Sequence, residues 1–388
     1  MRKAMTLTMA LGAICVVAAA LEGKNGYTET ELFTATDVRD SIGYPFGFGG
    51  EYWDELDTFQ FGSRGGTSHF EQNDDLAADA DGDLFFLVYG DDGTTATYTG
   101  LVHYDGTGFA HLVQDELVYM GAGSVNSVGK MLRNVTVSPA TEGKLTAGHP
   151  VIARHAKTAV DEVHVEIASV NPATAAETFV YGWTTSALNP EVIVAIDGDG
   201  VLFVLEGGLP DANGDIGQKT IRRLAWNGSS YDETNLTTLT VAGGITIGAD
   251  GFVYATNDAS WQVAAQGQNR TIYRIDPDSG AWTTYATVDD MTFLGDWIWD
   301  SEGNFWLGVR DFSRWKKQQR YVTKVVADAK VSGGDRISDS NRDPHSLAAG
   351  PDGKIFVMEQ PLGSNGTVFR LDPGAAGGGG GKGKGKNK

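Results

Sequence analysis

The sequence predicts an all-β fold, a six-bladed β-propeller, and three observations carry that prediction. One unit of short apolar strands around a glycine-ended turn recurs at intervals near fifty residues along the 388-residue chain. Within each unit apolar and polar residues alternate with the period of two that a half-buried strand requires. A chain of this length exceeds the size of a single ordinary core, and repetition of a small sheet around an axis is how a large all-β chain meets that limit.

Residues 1–20 read as a signal peptide. Arg2 and Lys3 form a positive start, Leu7 to Val17 a short apolar stretch, and Ala18 to Ala20 a small-residue cleavage site. Cys15, the one cysteine, lies inside it, so the mature chain is expected to be free of disulfides and either secreted or periplasmic. No later apolar run approaches the ~20 residues of a membrane helix, so no membrane span is expected.

Residues 21–73 form an N-terminal segment. Within it Glu29 to Val38 (ETELFTATDV) alternates, and the last repeat ends at Pro373 after only three strands. An unpaired edge there would invite pairing with other chains, so this segment is expected to supply the missing outer strand and close the ring. Residues 39–73, rich in glycine and aromatics, leave open a seventh, degenerate N-terminal blade.

Residues 74–373 hold the blades. Aligned on the turn glycine they read LAADADGDLFFLV at Gly82, VTVSPATEGKLTAG at Gly143, VIVAIDGDGVLFVLEG at Gly200, ITIGADGFVYATND at Gly251, WIWDSEGNFWLGV at Gly303 and SLAAGPDGKIFVMEQ at Gly353. The intervals are 61, 57, 51, 52 and 50 residues, the spacing of propeller blades rather than sandwich strands. Third strands follow as GLVHYDGTG, HVEIASVNPAT, IRRLAWNGSS, IYRIDPDSG, YVTKVVADAK and VFRLDPG. The second unit is the least regular, with Pro139 read inside its first strand.

Residues 374–388 (GAAGGGGGKGKGKNK) can bury no core and read as a flexible tail. The formal net charge of −20 becomes −26 once Arg2, Lys3 and the four tail lysines are set aside. So acidic a body argues against nucleic-acid binding, which needs a basic footprint, and fits divalent cations or basic partners.

The last unit, DPHSLAAGPDGKIFVMEQ followed by TVFRLDPG, resembles the repeats of NHL-type propellers and of the six-bladed streptogramin lyase and SMP-30/gluconolactonase relatives. The fifth, WIWDSEGNFWLGV, is similar to repeats of sensor propellers. The resemblance implies the fold. It also implies a metal held in the channel by Glu, Asn and Asp side chains, as in lactonase-like propellers, and a histidine that helps with proton transfer, as in streptogramin lyases.

A site is expected on the face where the innermost strands begin, beside the loops joining second and third strands. The residues entering those strands are Asp74 and Asp75, Asn134, Glu191, Gly244, Asp296 and His345. Asp75, Asn134, Glu191 and Asp296 make an oxygen-rich set suited to a hard divalent cation, calcium before others, and no organic cofactor is expected. His345, in a Pro-His pair resembling a streptogramin lyase channel motif, is a candidate acid–base residue with Glu359 on the next strand. The partner histidine of that family has no counterpart here.

The fifth loop carries Arg310, Phe312, Arg314 and Trp315, followed by Lys316, Lys317 and Arg320, a basic aromatic cluster on an acidic chain. Such a cluster can stack a sugar ring and pair with an anionic group. In the third loop Asp211, Asn213 and Asp215 have the spacing of a calcium loop, but Arg222 stands where its bidentate carboxylate belongs. Trp297, Trp299 and Trp306 alternate along strands and read as core between blades. The functions expected are a secreted, monomeric propeller binding an extracellular small molecule or glycan, a metal-dependent lyase or lactonase-like hydrolase, or a structural protein of the cell surface.

Overall fold

The protein is seen in a computed structural model. It describes residues 21–22, 26–42, 60–61, 75–91, 96–119, 127–159, 162–185, 190–208, 218–240, 242–257, 270–288, 292–311, 319–329, 331, 337–338, 344–359 and 366–374. The chain enters through β1 (Leu21–Glu22), β2 (Tyr27–Thr34), a helix α1 (Ala35–Ile42) and β3 (Gln60–Phe61). Six antiparallel blades then follow in chain order around one axis.

Blade 1 contains β4 (Leu76–Ala78), β5 (Leu84–Asp91), β6 (Ala96–Tyr104) and β7 (Phe109–Tyr119). Blade 2 contains β8 (Ser127–Val137), β9 (Pro150–Ala159), β10 (Glu162–Val170) and β11 (Glu177–Thr185). Blade 3 contains β12 (Pro190–Ile196), β13 (Leu202–Gly208), β14 (Gln218–Trp226) and β15 (Tyr231–Thr240). Blade 4 contains β16 (Ala242–Ile247), β17 (Val253–Asn257), β18 (Arg270–Ile275) and β19 (Trp282–Val288). Blade 5 has β20 (Thr292–Trp299), β21 (Phe305–Asp311) and β22 (Gln319–Val325). Residues 337 and 338 take the place of its fourth strand. The Ile337 N–H donates to the Val322 carbonyl at 2.9 Å, and the Val322 N–H to Ser338 Oγ at 2.8 Å. Blade 6 has β23 (Pro344–Ala349), β24 (Ile355–Glu359) and β25 (Thr367–Pro373).

The ring closes on β2, which pairs antiparallel with β25 from Tyr27↔Pro373 to Thr34↔Thr367. The expected segment does close it, but not over its full length. Ala35 to Val38 belong to α1, because Thr34 caps the helix: its N–H donates to Asp37 Oδ2 at 2.8 Å and the Asp37 N–H to Thr34 Oγ1 at 3.3 Å. The stretch in which a seventh blade was left open falls mostly outside the described residues, as do the signal peptide and most of the tail.

The core is divided into six apolar layers, one at each blade junction, and this is what makes the molecule a ring. Phe85, Leu87 and Leu101 meet Leu132, Val135 and Ile152 between blades 1 and 2. Val151, Val165 and Ile167 meet Val192, Val194 and Val204 between blades 2 and 3. Ile193, Phe203 and Leu205 meet Ile245 and Val253 at the next junction, and Tyr254 and Ile272 meet Trp297 and Phe305 at the one after. Trp306 and Val322 meet Leu347 and Val357, and Phe356, Met358 and Val368 meet Phe86, Leu84 and Phe33 of the first blade and closing strand. Trp297 and Trp306 are thus core, as their spacing predicted, and Trp299 stacks on Phe305 at 4.8 Å.

The hairpins between first and second strands explain the repeated aspartates. In units 1, 3 and 5 the residue three before the turn glycine is Asp79, Asp197 or Asp300, and its Oδ1 accepts two backbone N–H groups of its own turn at 2.8–3.0 Å. Gly82 and Gly200 then take φ of +91° and +82°, which a side chain would resist. Unit 2 departs from the pattern. Pro139 lies beyond β8 rather than inside it, in a twelve-residue connection from Ser138 to His149 whose ends pair through Ser138 N–H and the His149 carbonyl. Blades 1 and 2 are also continuous, since β7 pairs with the start of β8 at Leu117↔Gly129 and Val118↔Val128. Among the described residues no helix is long and apolar enough to cross a membrane.

Candidate functional site

Six innermost strands, β4, β8, β12, β16, β20 and β23, surround a central cavity of about 210 Å³. Each contributes three consecutive residues: Leu76–Ala78, Val135–Val137, Val194–Ile196, Ile245–Ile247, Trp297–Trp299 and Leu347–Ala349. The described wall is therefore backbone edge and apolar side chain, with Thr136 and Thr246 the hydroxyls on it.

One residue before these triplets stands a ring of buried positions, the neck: Asp75, Asn134, Ile193, Gly244, Asp296 and Ser346. In five units that position is seven residues ahead of the turn glycine, so the neck could be counted from the sequence. Asp75, Asn134 and Asp296 stand in it as expected. Glu191 comes two residues earlier than the neck, on β12 opposite Gly207, and its side chain lies outside the described residues. His345 comes one residue earlier, at an irregularity in the β23–β24 register between Pro344 and Ser346.

The neck side chains bind blade to blade. Asn134 Oδ1 accepts the Val194 N–H of blade 3 at 3.0 Å. Asp296 Oδ2 accepts the Leu347 N–H of blade 6 at 2.7 Å, while its Oδ1 accepts the Trp297 N–H at 2.7 Å. Ser346 Oγ accepts the Asp75 N–H of blade 1 at 3.3 Å. Inner-strand edges lack a ladder partner on the channel side, and these acceptors satisfy buried N–H groups that would otherwise cost about 1–3 kcal/mol each.

Asp75 is different. It is 1% exposed, its Oδ2 lies 3.3 Å from His345 Nε2, and its Oδ1 is buried with no hydrogen-bond partner among the described residues. His345 is itself 9% exposed. A carboxylate only accepts, so in this contact His345 Nε2 is the donor. Asp75 and His345 are 270 residues apart in sequence and meet because blade 6 closes against blade 1. Glu359, the partner expected for His345, is buried on β24 opposite Pro344.

Among the described residues no three His, Cys, Asp or Glu side chains gather closely enough to hold a metal ion, and the side chain of Glu191, one of the four ligands expected, lies outside the described residues. Of the basic aromatic cluster, Arg310 lies on β21 with its side chain outside the described residues, and Phe312, Arg314 and Trp315 lie wholly outside them. Asp211, Asn213 and Asp215 do so too. Asp311, the last described residue of β21, pairs with Thr292 at the start of β20.

No protein-family model matches the chain, and no curated protein matches it in sequence. Among solved structures the chain is similar to a glucose dehydrogenase at 13% identity, over 71% of this chain and 92% of that one, with a TM-score of 0.43. It is similar to the oligogalacturonate lyase of Vibrio parahaemolyticus at 9% identity, over 91% and 96% of the two chains, with a TM-score of 0.40. A Bacteroides caccae protein of unknown function matches at 10% identity over 69% and 81%, with a TM-score of 0.40. At such identities and TM-scores the likeness carries nothing about chemistry; the six-bladed propeller stands on this chain's own strand pairing and six junction cores.

Proposed function

We propose that the protein is a secreted binding propeller that holds an extracellular ligand, a glycan or another polymer, on the face where the inner strands begin. The observation that carries this reading is the use made of the channel neck. Asn134 and Asp296, the residues best suited to metal-assisted chemistry, spend their oxygens on backbone N–H groups of the next blade. The neck thereby holds a rigid ring, which suits a scaffold presenting loops to a ligand. The sequence adds Arg314 and Trp315 a few residues beyond β21, residue types whose guanidinium fork and aromatic plane can pair an anionic group and stack a sugar.

Retention of the mature chain on immobilised polygalacturonate, chitin and peptidoglycan tests the proposal. Binding to at least one polymer is expected, weakened about ten-fold or more in Trp315→Ala with circular dichroism unchanged. Absence of retention on every polymer, or full retention by the variant, overturns it.

A second reading, acid–base catalysis, is favoured by one observation: the buried Asp75 Oδ1, without a hydrogen-bond partner among the described residues, beside the His345 ring. Product release from the same polymers, abolished in His345→Ala while retention persists, is the result that would place this reading first. Elemental analysis of the purified chain decides whether a divalent cation, calcium by its oxygen ligands, belongs to it.

A further inference from the structure

Trp282 opens β19 with half its surface in water, at 51% exposure. A single exposed hydrophobe is ordinary on a protein surface, and what sets this one apart is its company. Ile221 and Ile275 both belong to the core between blades 3 and 4. Trp282 is the register partner of Ile275, and Tyr273 stands two residues before Ile275, so both rings lie on the side of blade 4 that faces blade 3. Arg223, two residues beyond Ile221 on β14, comes to the same place from blade 3. Its Nη2 lies 3.6 Å from Asp278 Oδ1 in the β18–β19 turn, four residues before Trp282.

The patch is held in shape and open to water. The Tyr273 ring meets the indole at a centroid separation of 5.0 Å and an angle of 67°. Inside the turn Asp276 Oδ1 accepts the Ser279 N–H at 2.8 Å, and a side chain on Gly280 would run into the Leu236 carbonyl, so the turn rests directly on β15. The Asp278 side chain is 85% exposed and that of Arg223 28%. At 3.6 Å the two are too far apart for a hydrogen bond, so they offset each other's charge while both keep their hydrogen-bonding capacity. Arg223 has no other polar partner among the described residues.

We propose that this patch is a platform for a neutral glycan: the apolar face of one sugar ring lies on the Trp282 indole, the Asp278 carboxylate accepts from one hydroxyl, and the Arg223 guanidinium donates to a neighbouring one. A hydroxyl both donates and accepts, which matches an acceptor-only and a donor-only group side by side. One positive and one negative charge leave the patch neutral, and a chain of net charge −20 repels a polyanion at a distance, so the class of glycan is an uncharged one. The patch goes beyond the polymer site proposed above. It stands at the end of blade 4 opposite the one where the inner strands begin, because β16 and β18 run toward that turn and β17 and β19 away from it. None of its residues belongs to the neck or to the Trp315 segment.

Affinity electrophoresis of the mature full-length chain tests it, in native gels cast with hydroxyethyl cellulose, galactomannan or laminarin, and with polygalacturonate for comparison. Retardation by at least one of the three neutral polymers is expected. Trp282→Ala should weaken it about ten-fold or more, Trp282→Phe about three-fold, and Arg223→Gln about three-fold or more, with circular dichroism unchanged. Trp315→Ala is run beside them: for a given polymer, a loss confined to that variant is a failure of this patch, and a loss confined to Trp282→Ala a failure of the reading built on Trp315. On the wild-type chain, hydroxyl-radical footprinting read by mass spectrometry should find Trp282 oxidised in the free protein and protected by the retarding polymer. No retardation by any neutral polymer, equal retardation of Trp282→Ala, or an unprotected Trp282 overturns the proposal. So does retardation by polygalacturonate that depends on Trp282, or a concentration-dependent dimer that Trp282→Ala dissolves, which would assign the patch to a second copy of the chain.

Discussion

Asp115 shares Arg154 with Glu166 and Glu177, and the three carboxylates do not share it equally. Glu166 also holds Lys130 at 2.9 Å, and these bonds outweigh its burial and keep its carboxyl below the ordinary range. Asp115 is 6% exposed, and burial, partly offset by Arg154 and reinforced by Glu177, pushes its carboxyl up to about 6 from 3.8. A carboxyl raised on folding makes the folded chain bind the proton more tightly than the unfolded one. The stability it contributes is therefore complete below about 3.8 and lost as pH rises through about 6. Asp115→Asn, which is neutral at every pH, should gain on the wild type between pH 4 and 7 by on the order of 1–3 kcal/mol. Urea midpoints of the two chains across that range measure this; a difference independent of pH would mean that Asp115 stays ionised throughout.

At the scale of the element, β2 does more than complete a ladder. Phe33 near its end reaches into blade 1, with its ring centroid 5.4 Å from Phe86, 4.7 Å from Tyr104 and 4.9 Å from Phe109. Phe33→Ala removes the centre of that cluster and should cost about 3–5 kcal/mol in urea unfolding; a loss under about 1 kcal/mol would show that closure rests on the backbone pairs alone. The closing strand was legible because two local signals agreed: an alternating segment near one terminus and an unpaired third strand near the other. Its end was misplaced, although Thr34-Ala35-Thr36-Asp37 carries the [ST]-x-x-[DE] signature of a helix start. The neck was legible at Asp75 and Asp296 because the turn glycine fixes a count of seven along those inner strands, a count that Asn134, nine residues ahead of Gly143, does not follow. What those oxygens do was not legible, since their donors Val194 and Leu347 belong to the next blade. The same limit hid the partner of His345. A contact across 270 residues has no local signature. Pro139 was read as a strand interruption because the regular hairpin was assumed where a twelve-residue connection is used.

For the whole molecule the decisive joint is β2 with β25, since every other blade junction joins neighbours in sequence. Opening this one turns a ring into an open arc with two unpaired edges and splits the layer of Phe33, Phe86, Phe356 and Val368. The described residues contain no cysteine, the one in the sequence being Cys15, so an engineered pair would have no described thiol to compete with it. Thr28 and Asp372 face each other in the antiparallel register, a pairing whose Cα separation of roughly 4.5–5.5 Å suits a disulfide. Thr28→Cys with Asp372→Cys would tie residues near the two ends of the folded body into one covalent ring. Removing so long a loop's freedom from the unfolded chain should stabilise the fold by about 3–5 kcal/mol. The loss of the Arg370–Asp372 ion pair at 2.8 Å, about 0–1 kcal/mol for a partly exposed pair, should not cancel this. Urea unfolding of the double variant with and without reductant measures the difference directly. Equal midpoints in the two conditions would show that the ring does not open at β2 and β25 when the protein unfolds.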